Sequence, residues 1–190
     1  LSGYARQTTP QLAQLMQVAP SSQPPVINFN DVTACGTSTE VSLPCMFAPV
    51  GRRNYDEVRI RGSESLLHVA ARAGVAVHWR DNQSGCKGVC DGLSHDNVNP
   101  ALAPGLCQGG RCLDEGLLRG LDERLRALHN GRGTQLLVLH MLGNHGPSYY
   151  RRYPPAFERF TPVCRNDDLG QCTREEIVNA YDNALLYTDH

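Results

Sequence analysis

The sequence lacks both a strong net charge and a long apolar run. Its 18 Lys and Arg residues nearly balance 19 Asp and Glu residues, so it has no excess of positive charge with which to bind nucleic acid. No segment reaches the roughly 20 consecutive apolar residues that span a bilayer. Leu1 is not an initiator Met, and no signal peptide follows it. We therefore expect no nucleic-acid partner and interpret the start as a cut within a longer protein, with 190 residues forming one domain.

Cysteine, in contrast, is abundant. The eight cysteines fall into four close pairs, namely Cys35 with Cys45, Cys86 with Cys90, Cys107 with Cys112, and Cys164 with Cys172. Close pairs in even number indicate disulfides, and disulfides indicate an oxidising compartment such as the periplasm. A second interpretation remains open, in which Cys86, Cys90, Cys107 and Cys112 bind one zinc ion, although their gaps are longer than the usual CxxC spacing.

Helical and strand patterns alternate along the chain. Thr9 as N-cap with Pro10 at the first position predicts one helix, and the capping box of Thr173 and Glu176 predicts the last. Between them we expect a strand at 26–29, a short helix after Thr39, a helix capped by Ser63, a strand at 75–79, a helix over 113–128 and a strand at 135–140. This alternation predicts an α/β fold with a largely parallel sheet.

Three unusual segments each follow a predicted strand: 30–45, 80–90 and 140–153. Ligands in open α/β sheets bind beyond the carboxyl ends of the strands, so these segments are candidates for one shared site. They fit equally well as ordinary surface loops.

The first of these segments places hydroxyl groups at the start of a predicted helix. Thr37, Ser38 and Thr39 lie between Cys35 and Cys45. The free N–H groups and the dipole of a helix N-terminus favour an anion there, such as a phosphate. The same hydroxyls also suit simple helix capping.

Four motifs resemble those of the lipid A phosphoethanolamine transferases, the family of the mobile colistin-resistance proteins. They are CGTSTEVSLPCMF at 35–47, WRDNQSGCKGV at 79–89, GNHGP at 143–147 and NAYDNA at 179–184, in the order found in that family. The resemblance implies an α/β sandwich of the alkaline phosphatase and sulfatase type, with helices on both faces of the sheet. Residues 1–190 would then be the N-terminal and middle part of one periplasmic catalytic domain, without the membrane domain and the C-terminal part.

The resemblance also implies roles for individual residues. Thr39 falls on the zinc-bound nucleophile, which carries phosphoethanolamine as a phosphothreonine, and Thr37 and Ser38 line the same pocket. Lys87 and His145 fall beside the transferred phosphate, and His145 is also a candidate ligand of a second zinc. Gln83 stands where some relatives have Asn. The remaining zinc ligands, a Glu and an Asp-His pair, are expected before and after this chain, and the terminal Asp189-His190 is not that pair.

The implied function is transfer of phosphoethanolamine from phosphatidylethanolamine to a lipid A phosphate, giving polymyxin and colistin resistance. The whole protein would be a monomer in the bacterial inner membrane, with its catalytic domain in the periplasm. Two alternatives remain. One is a related phosphotransferase with another donor or acceptor, such as phosphoglycerol, a core sugar or a protein, and the other is a non-catalytic periplasmic binding module.

Overall fold

The computed structural model describes residues 4–17, 26–27, 29, 31–129 and 133–190, without the side chains of 127–129. The chain divides into two compact units, one formed by residues 31–141 and the other by residues 1–30 and 142–190. Within the described ranges, no helix is long and apolar enough to cross a membrane.

The strands that the structure describes all lie in the unit 31–141. Their bounds are Ala76–Asp81 (β1), Ser94–Asn97 (β2), Cys107–Gln108 (β3), Arg111–Cys112 (β4) and Gln135–His140 (β5). Strands β2, β1 and β5 form a parallel sheet in that order, whereas β3 and β4 form a small antiparallel pair. In the register of the sheet, Asp81 lies opposite His140 on one side and Asn97 on the other. The parallel sheet confirms the predicted α/β class.

The described helices fall in both units. They are Pro10–Gln17 (α1), Thr39–Phe47 (α2), Glu57–Arg61 (α3), Leu66–Arg72 (α4), Leu121–His129 (α5) and Arg174–Asp189 (α6). Helix α4 packs against β1. The core there centres on Trp79, which is 1% exposed, with Leu67, Leu43 and the Cys86–Cys90 disulfide around it. Apolar side chains therefore cover β1 up to Trp79, and the polar residues Arg80 and Asp81 end the strand.

Pro44 explains an unusual feature of α2. A proline has no N–H, so the carbonyl of Glu40, four residues earlier, loses its helical donor. The guanidinium of Arg61 takes that place, because Nη2 donates to the Glu40 carbonyl at 3.3 Å and to its carboxylate at 3.0 Å. The predicted short helix is confirmed, and an arginine from α3 compensates for the hydrogen bond that Pro44 cannot make.

Two sequence predictions about helix ends were wrong. Helix α4 is capped by Ser65, whose hydroxyl accepts from the backbone N–H of His68, whereas Ser63 donates to the carbonyl of Arg59. The continuous helix expected over 113–128 is a 3₁₀ turn at Asp114–Leu118 followed by α5. Gly120 separates them with a φ of 68°, a left-handed conformation that glycine adopts at little cost.

The strand expected at 26–29 was also wrong. Val26, Ile27 and Phe29 have no regular structure and are exposed, Ile27 by 71%. Asn28 and residues 18–25 lie outside the described residues. A short apolar run becomes a strand only where a sheet edge can pair with it, and the described sheet consists of β2, β1 and β5 alone. The segment leading to Thr39 therefore follows no described strand.

All eight cysteines pair as predicted, in the disulfides Cys35–Cys45, Cys86–Cys90, Cys107–Cys112 and Cys164–Cys172. The alternative four-cysteine zinc site is wrong, because a sulfur in a disulfide is not available as a thiolate ligand.

In the unit formed by residues 1–30 and 142–190, other segments pack against helix α6. Asp182 and Asn183 on this helix are fully buried. The Asp182 carboxylate accepts from Tyr4 and Arg6, and the Asn183 amide oxygen accepts from the backbone N–H groups of Arg159 and Phe160. Buried polar groups are tolerated only when they are paired, so these two side chains fix the segments that pack against α6.

The capping box of α6 allows a direct stability test. The Thr173 hydroxyl accepts from the N–H of Glu176, whose carboxylate accepts from the N–H of Thr173 at 2.7 Å. We expect Thr173→Ala to lower the free energy of unfolding by about 1 kcal/mol, measured by urea denaturation. Thr173→Ser keeps the capping oxygen and serves as control. An alanine variant as stable as the serine variant would show that the cap contributes nothing.

Candidate active site

Thr39 is the first residue of α2, and it is half-buried. Ser38 is the N-cap and has the extended backbone of that position. Its hydroxyl makes no capping hydrogen bond with any described residue. Ser38 and Thr37 are both exposed. Simple capping therefore does not account for Ser38, and the start of α2 presents a row of hydroxyl groups on the surface of this unit.

The segment before α2 is held closely against the helix. The Cys35–Cys45 disulfide joins it to the last turn. Gly36 lies so near Val41 that a Cβ on it would come within 2.8 Å of Val41 Cγ1. A larger residue at this position would force either the segment or the Val41 side chain to shift, so the glycine allows Thr37 to Thr39 to approach the helix closely.

Gln83 is the side chain that contacts the predicted nucleophile. Its Nε2 donates to Thr39 Oγ1 at 3.0 Å. Gln83 lies in the loop that follows β1, so the structure brings together two of the predicted segments. The sequence motifs gave Gln83 no role beyond its departure from the Asn of some relatives, yet its side chain reaches the Thr39 hydroxyl.

Lys87 lies in the same loop, close to the residue after Thr39. Its Nζ donates to the carbonyl of Ser84 at 2.8 Å and lies 3.7 Å from the carboxylate of Glu40. Lys87 has a φ of 55°, between Gly85 and Gly88, which also have positive φ. This left-handed turn is rare for a residue with a side chain, and it directs the chain so that a lysine ammonium lies beside the start of α2.

His145 belongs to the other compact unit, in the loop before the 3₁₀ turn Tyr149–Arg151. Its ring is exposed, and Nδ1 lies 2.8 Å from the carbonyl oxygen of Gly146. Its own carbonyl accepts from Arg152, and the adjacent Asn144 donates to the carbonyl of Tyr181 on α6. These contacts fix the loop within its unit, and a role for His145 at the phosphate or at a second zinc stays a prediction.

Asp81 and His140 form a polar cluster that the sequence motifs did not reveal. The Asp81 side chain is buried, and its Oδ2 lies 2.7 Å from His140 Nδ1. Burial alone would raise the pKa of Asp81. Hydrogen bonds from His140, Trp79 and the backbone N–H groups of Gly85 and Gln83 outweigh it and hold that pKa well below its usual range. The available signal was positional, because both residues end neighbouring parallel strands.

The residues at hand do not make a zinc site by themselves. Zinc in proteins takes four ligands or three with a water, from Cys, His, Asp or Glu. Among the residues that the structure describes, no group of three or more such side chains is placed to hold a metal ion. Thr39 would supply a single oxygen.

The sulfatase family matches residues 1–190, the full length of the chain. The chain belongs to the sulfatase family. Among curated proteins it is 44% identical over 190 residues to the phosphoethanolamine transferase EptA of Salmonella typhimurium, covering 32% of that protein. It is 42% identical over 194 residues to the phosphatidylethanolamine transferase Mcr-1 of Escherichia coli, covering 34% of it. The chain thus spans about a third of the length of these relatives.

Solved structures of this sulfatase-family group share the fold. The soluble domain of lipooligosaccharide phosphoethanolamine transferase A from Neisseria meningitidis matches with a TM-score of 0.86 and 43% identity, over 98% of this chain and 53% of that one. The zinc complex of the C-terminal periplasmic domain of EptC from Escherichia coli matches with a TM-score of 0.72 and 26% identity, over 99% of this chain and 51% of that one. The alkaline phosphatase and sulfatase type of fold is therefore confirmed.

Proposed function

We propose that this chain is the N-terminal and middle part of the periplasmic catalytic domain of a phosphoethanolamine transferase that acts on lipid A. The observation that carries the proposal is the Thr39 hydroxyl at the start of α2, in contact with Gln83 and one residue from the carboxylate that pairs with Lys87. The names of the two curated relatives support phosphoethanolamine as the transferred group and phosphatidylethanolamine as its donor.

The transfer proceeds in two steps. Thr39 Oγ1 loses its proton and attacks phosphorus, a bond forms between them, and the bond from phosphorus to the diacylglycerol oxygen breaks. That oxygen takes a proton and diacylglycerol leaves. A lipid A phosphate oxygen then attacks the same phosphorus, the Oγ1–phosphorus bond breaks, and the Thr39 hydroxyl is restored.

Three features of this unit stabilise the phosphate during both steps. The free N–H groups at the start of α2 face an anion bound to Thr39. The Lys87 ammonium offsets the charge on the phosphoryl oxygens. Gln83 Nε2, which donates to Thr39 Oγ1 in the structure, holds the oxygen in place before attack and is positioned to donate to the phosphate afterwards.

Zinc dependence is part of the proposal and rests on the family. Enzymes of the sulfatase family depend on bound metal, and one structural relative is a zinc complex. Zinc would favour loss of the Thr39 proton. The resemblance places the other ligands, a Glu and an Asp-His pair, before and after this chain, and we propose His145 as the candidate ligand of a second zinc.

Expression of the full-length protein in a polymyxin-sensitive bacterium tests the acceptor. We expect mass spectrometry to show phosphoethanolamine on lipid A and the minimum inhibitory concentration of colistin to rise several-fold, because masked phosphates bind the cationic drug less well. A strain carrying the empty vector is the control. Unmodified lipid A, with phosphoethanolamine or phosphoglycerol found on core sugars or proteins, would contradict lipid A as acceptor and favour the related-transferase alternative.

A further inference from the structure

Asp81 lies at the carboxyl end of the central strand β1, and its side chain makes four hydrogen bonds. Oδ1 accepts from the backbone N–H groups of Gln83 at 2.7 Å and Gly85 at 3.1 Å. Oδ2 accepts from Trp79 Nε1 at 3.0 Å and lies 2.7 Å from His140 Nδ1. The residue is 4% exposed, so each of these donors is satisfied in a place that water barely reaches.

The two oxygens have different neighbours. Oδ1 determines the course of the loop after β1, because two N–H groups converge on it within three residues. Oδ2 contacts two side chains of the sheet, the buried Trp79 on β1 and His140 at the end of the neighbouring strand β5. His140 must carry a proton on Nδ1 to donate to a carboxylate, and its ring packs on Trp79 with 5.1 Å between centroids.

The loop fixed in this way carries the groups that meet Thr39. Gln83 receives its backbone position from Asp81 and places Nε2 on Thr39 Oγ1. Gly85 receives the same support two residues before Lys87, in a turn where Gly85, Lys87 and Gly88 all have positive φ. A positive φ is rare for a lysine, and the Asp81 carboxylate helps to hold this turn together with the Cys86–Cys90 disulfide.

We propose that Asp81, held by His140, is a positioning residue that sets the loop bearing Gln83 and Lys87 against the nucleophile Thr39. The inference rests on the proposed function and adds to it two residues that act through Gln83 and Lys87 rather than directly on Thr39. A displacement of about 1 Å in a group that aligns a reaction costs on the order of 100-fold in rate, so the pair acts on the rate of the phosphoryl step through Gln83 and Lys87.

The test compares Asp81→Asn with Asp96→Asn in the full-length protein. Asp96 is a carboxylate on the neighbouring strand β2, and both of its oxygens accept from the guanidinium of Arg80 on β1 at 2.9 Å. Both variants are assayed for thermal unfolding and for formation of phosphothreonine from phosphatidylethanolamine in mixed micelles. We expect Asp81→Asn to lower the rate at saturating donor by about 30-fold, with Asp96→Asn within about 3-fold of wild type. Equal rates in the two variants would overturn the proposal.

A second pair of variants keeps the test decisive if Asp81→Asn does not fold. In His140→Asn the side-chain amide nitrogen stands near the position of Nδ1 and can donate to Asp81, whereas His140→Phe keeps a ring against Trp79 and removes the donor. We expect the rate to fall about 10-fold in His140→Phe and to return to within about 3-fold of wild type in His140→Asn. Equal rates in both would overturn the role of the Nδ1 donor.

Different results would contradict the positioning role of Asp81 and the proposed function. If Thr39→Ala abolishes phosphothreonine while the Asp81 and His140 variants match wild type, the positioning role is wrong and the proposed function stands. If Thr39→Ala still forms the phosphorylated enzyme, the proposed function is wrong and the positioning role falls with it.

Discussion

Thr39→Ala is expected to abolish phosphoethanolamine transfer, with a loss of at least about 1,000-fold in rate. Removing the nucleophile of an enzyme that works through a covalent intermediate leaves only the contribution of substrate binding and charge stabilisation. Thr39 Oγ1 is the oxygen at the N-terminus of α2 that Gln83 orients at 3.0 Å. The measurement is lipid A mass spectrometry in cells together with phosphopeptide analysis of the purified full-length protein.

Two variants make the test specific. Ser42→Ala removes another hydroxyl from α2, one that only donates to the carbonyl of Ser38, and we expect transfer within about 2-fold of wild type. Thr39→Ser keeps an oxygen nucleophile and should retain part of the activity. Modified lipid A that persists in Thr39→Ala would indicate a nucleophile elsewhere in the protein. Colistin resistance that is unchanged in Thr39→Ala while lipid A stays unmodified would favour a non-catalytic binding module.

The elements that the sequence predicted correctly carry local signals. Strands β1 and β5 are apolar runs bounded by turns. Helix α1 begins at a proline, and α6 begins at a capping box whose hydrogen bonds join residues only three positions apart. Disulfide pairing was predictable for the same reason, because each pair is separated by ten residues or fewer. Signals of this range do not depend on the rest of the fold.

The elements that were missed depend on tertiary pairing. Strand β2, Ser94–Asn97, has no apolar residue and becomes a strand because β1 accepts it in parallel register. The apolar residues at 26–29 show the reverse case, since they have strand composition but no described strand partner. The hydrophobic pattern of a segment indicates that one of its faces is buried. It does not indicate whether a sheet edge is available to pair with the segment.

The candidate site divides in the same way. Thr39 and Lys87 could be proposed as site residues from the sequence because they stand within motifs that resemble those of the family, and their roles stay predictions. The contact of Gln83 with Thr39 joins residues 44 positions apart, and that of His140 with Asp81 joins residues 59 apart. The second contact arises from strand order, which brings the end of β5 beside the end of β1, and the first arises from the packing of α2 beside the loop that follows β1. The sequence predicts that His140 ends one strand and that Asp81 follows another by two residues, but it gives no reason to pair them.

Lys87→Met is expected to lower kcat/KM by about 100-fold, since the loss of one group that stabilises transition-state charge costs about 2.7 to 4 kcal/mol. Lys87 is the cation of the loop after β1, its side chain is 21% exposed, and it lies 3.7 Å from the carboxylate of Glu40. Methionine keeps the length of the side chain and removes the charge. The positive φ of 55° is equally demanding for either residue, so the backbone does not confound the comparison.

The matched control is Arg61→Met, because Arg61 also pairs with Glu40, at 3.0 Å, from α3. If Lys87 acts only by holding Glu40, the two variants should lose activity equally. If its charge acts on the phosphate, Arg61→Met should stay within about 3-fold of wild type, and Lys87→Arg, which keeps the charge with a different donor geometry, should recover part of the loss. Rates of phosphothreonine formation and of its transfer to lipid A, measured separately, show whether the charge serves one step or both. A Lys87→Met variant with unchanged rates for both steps would remove Lys87 from the site.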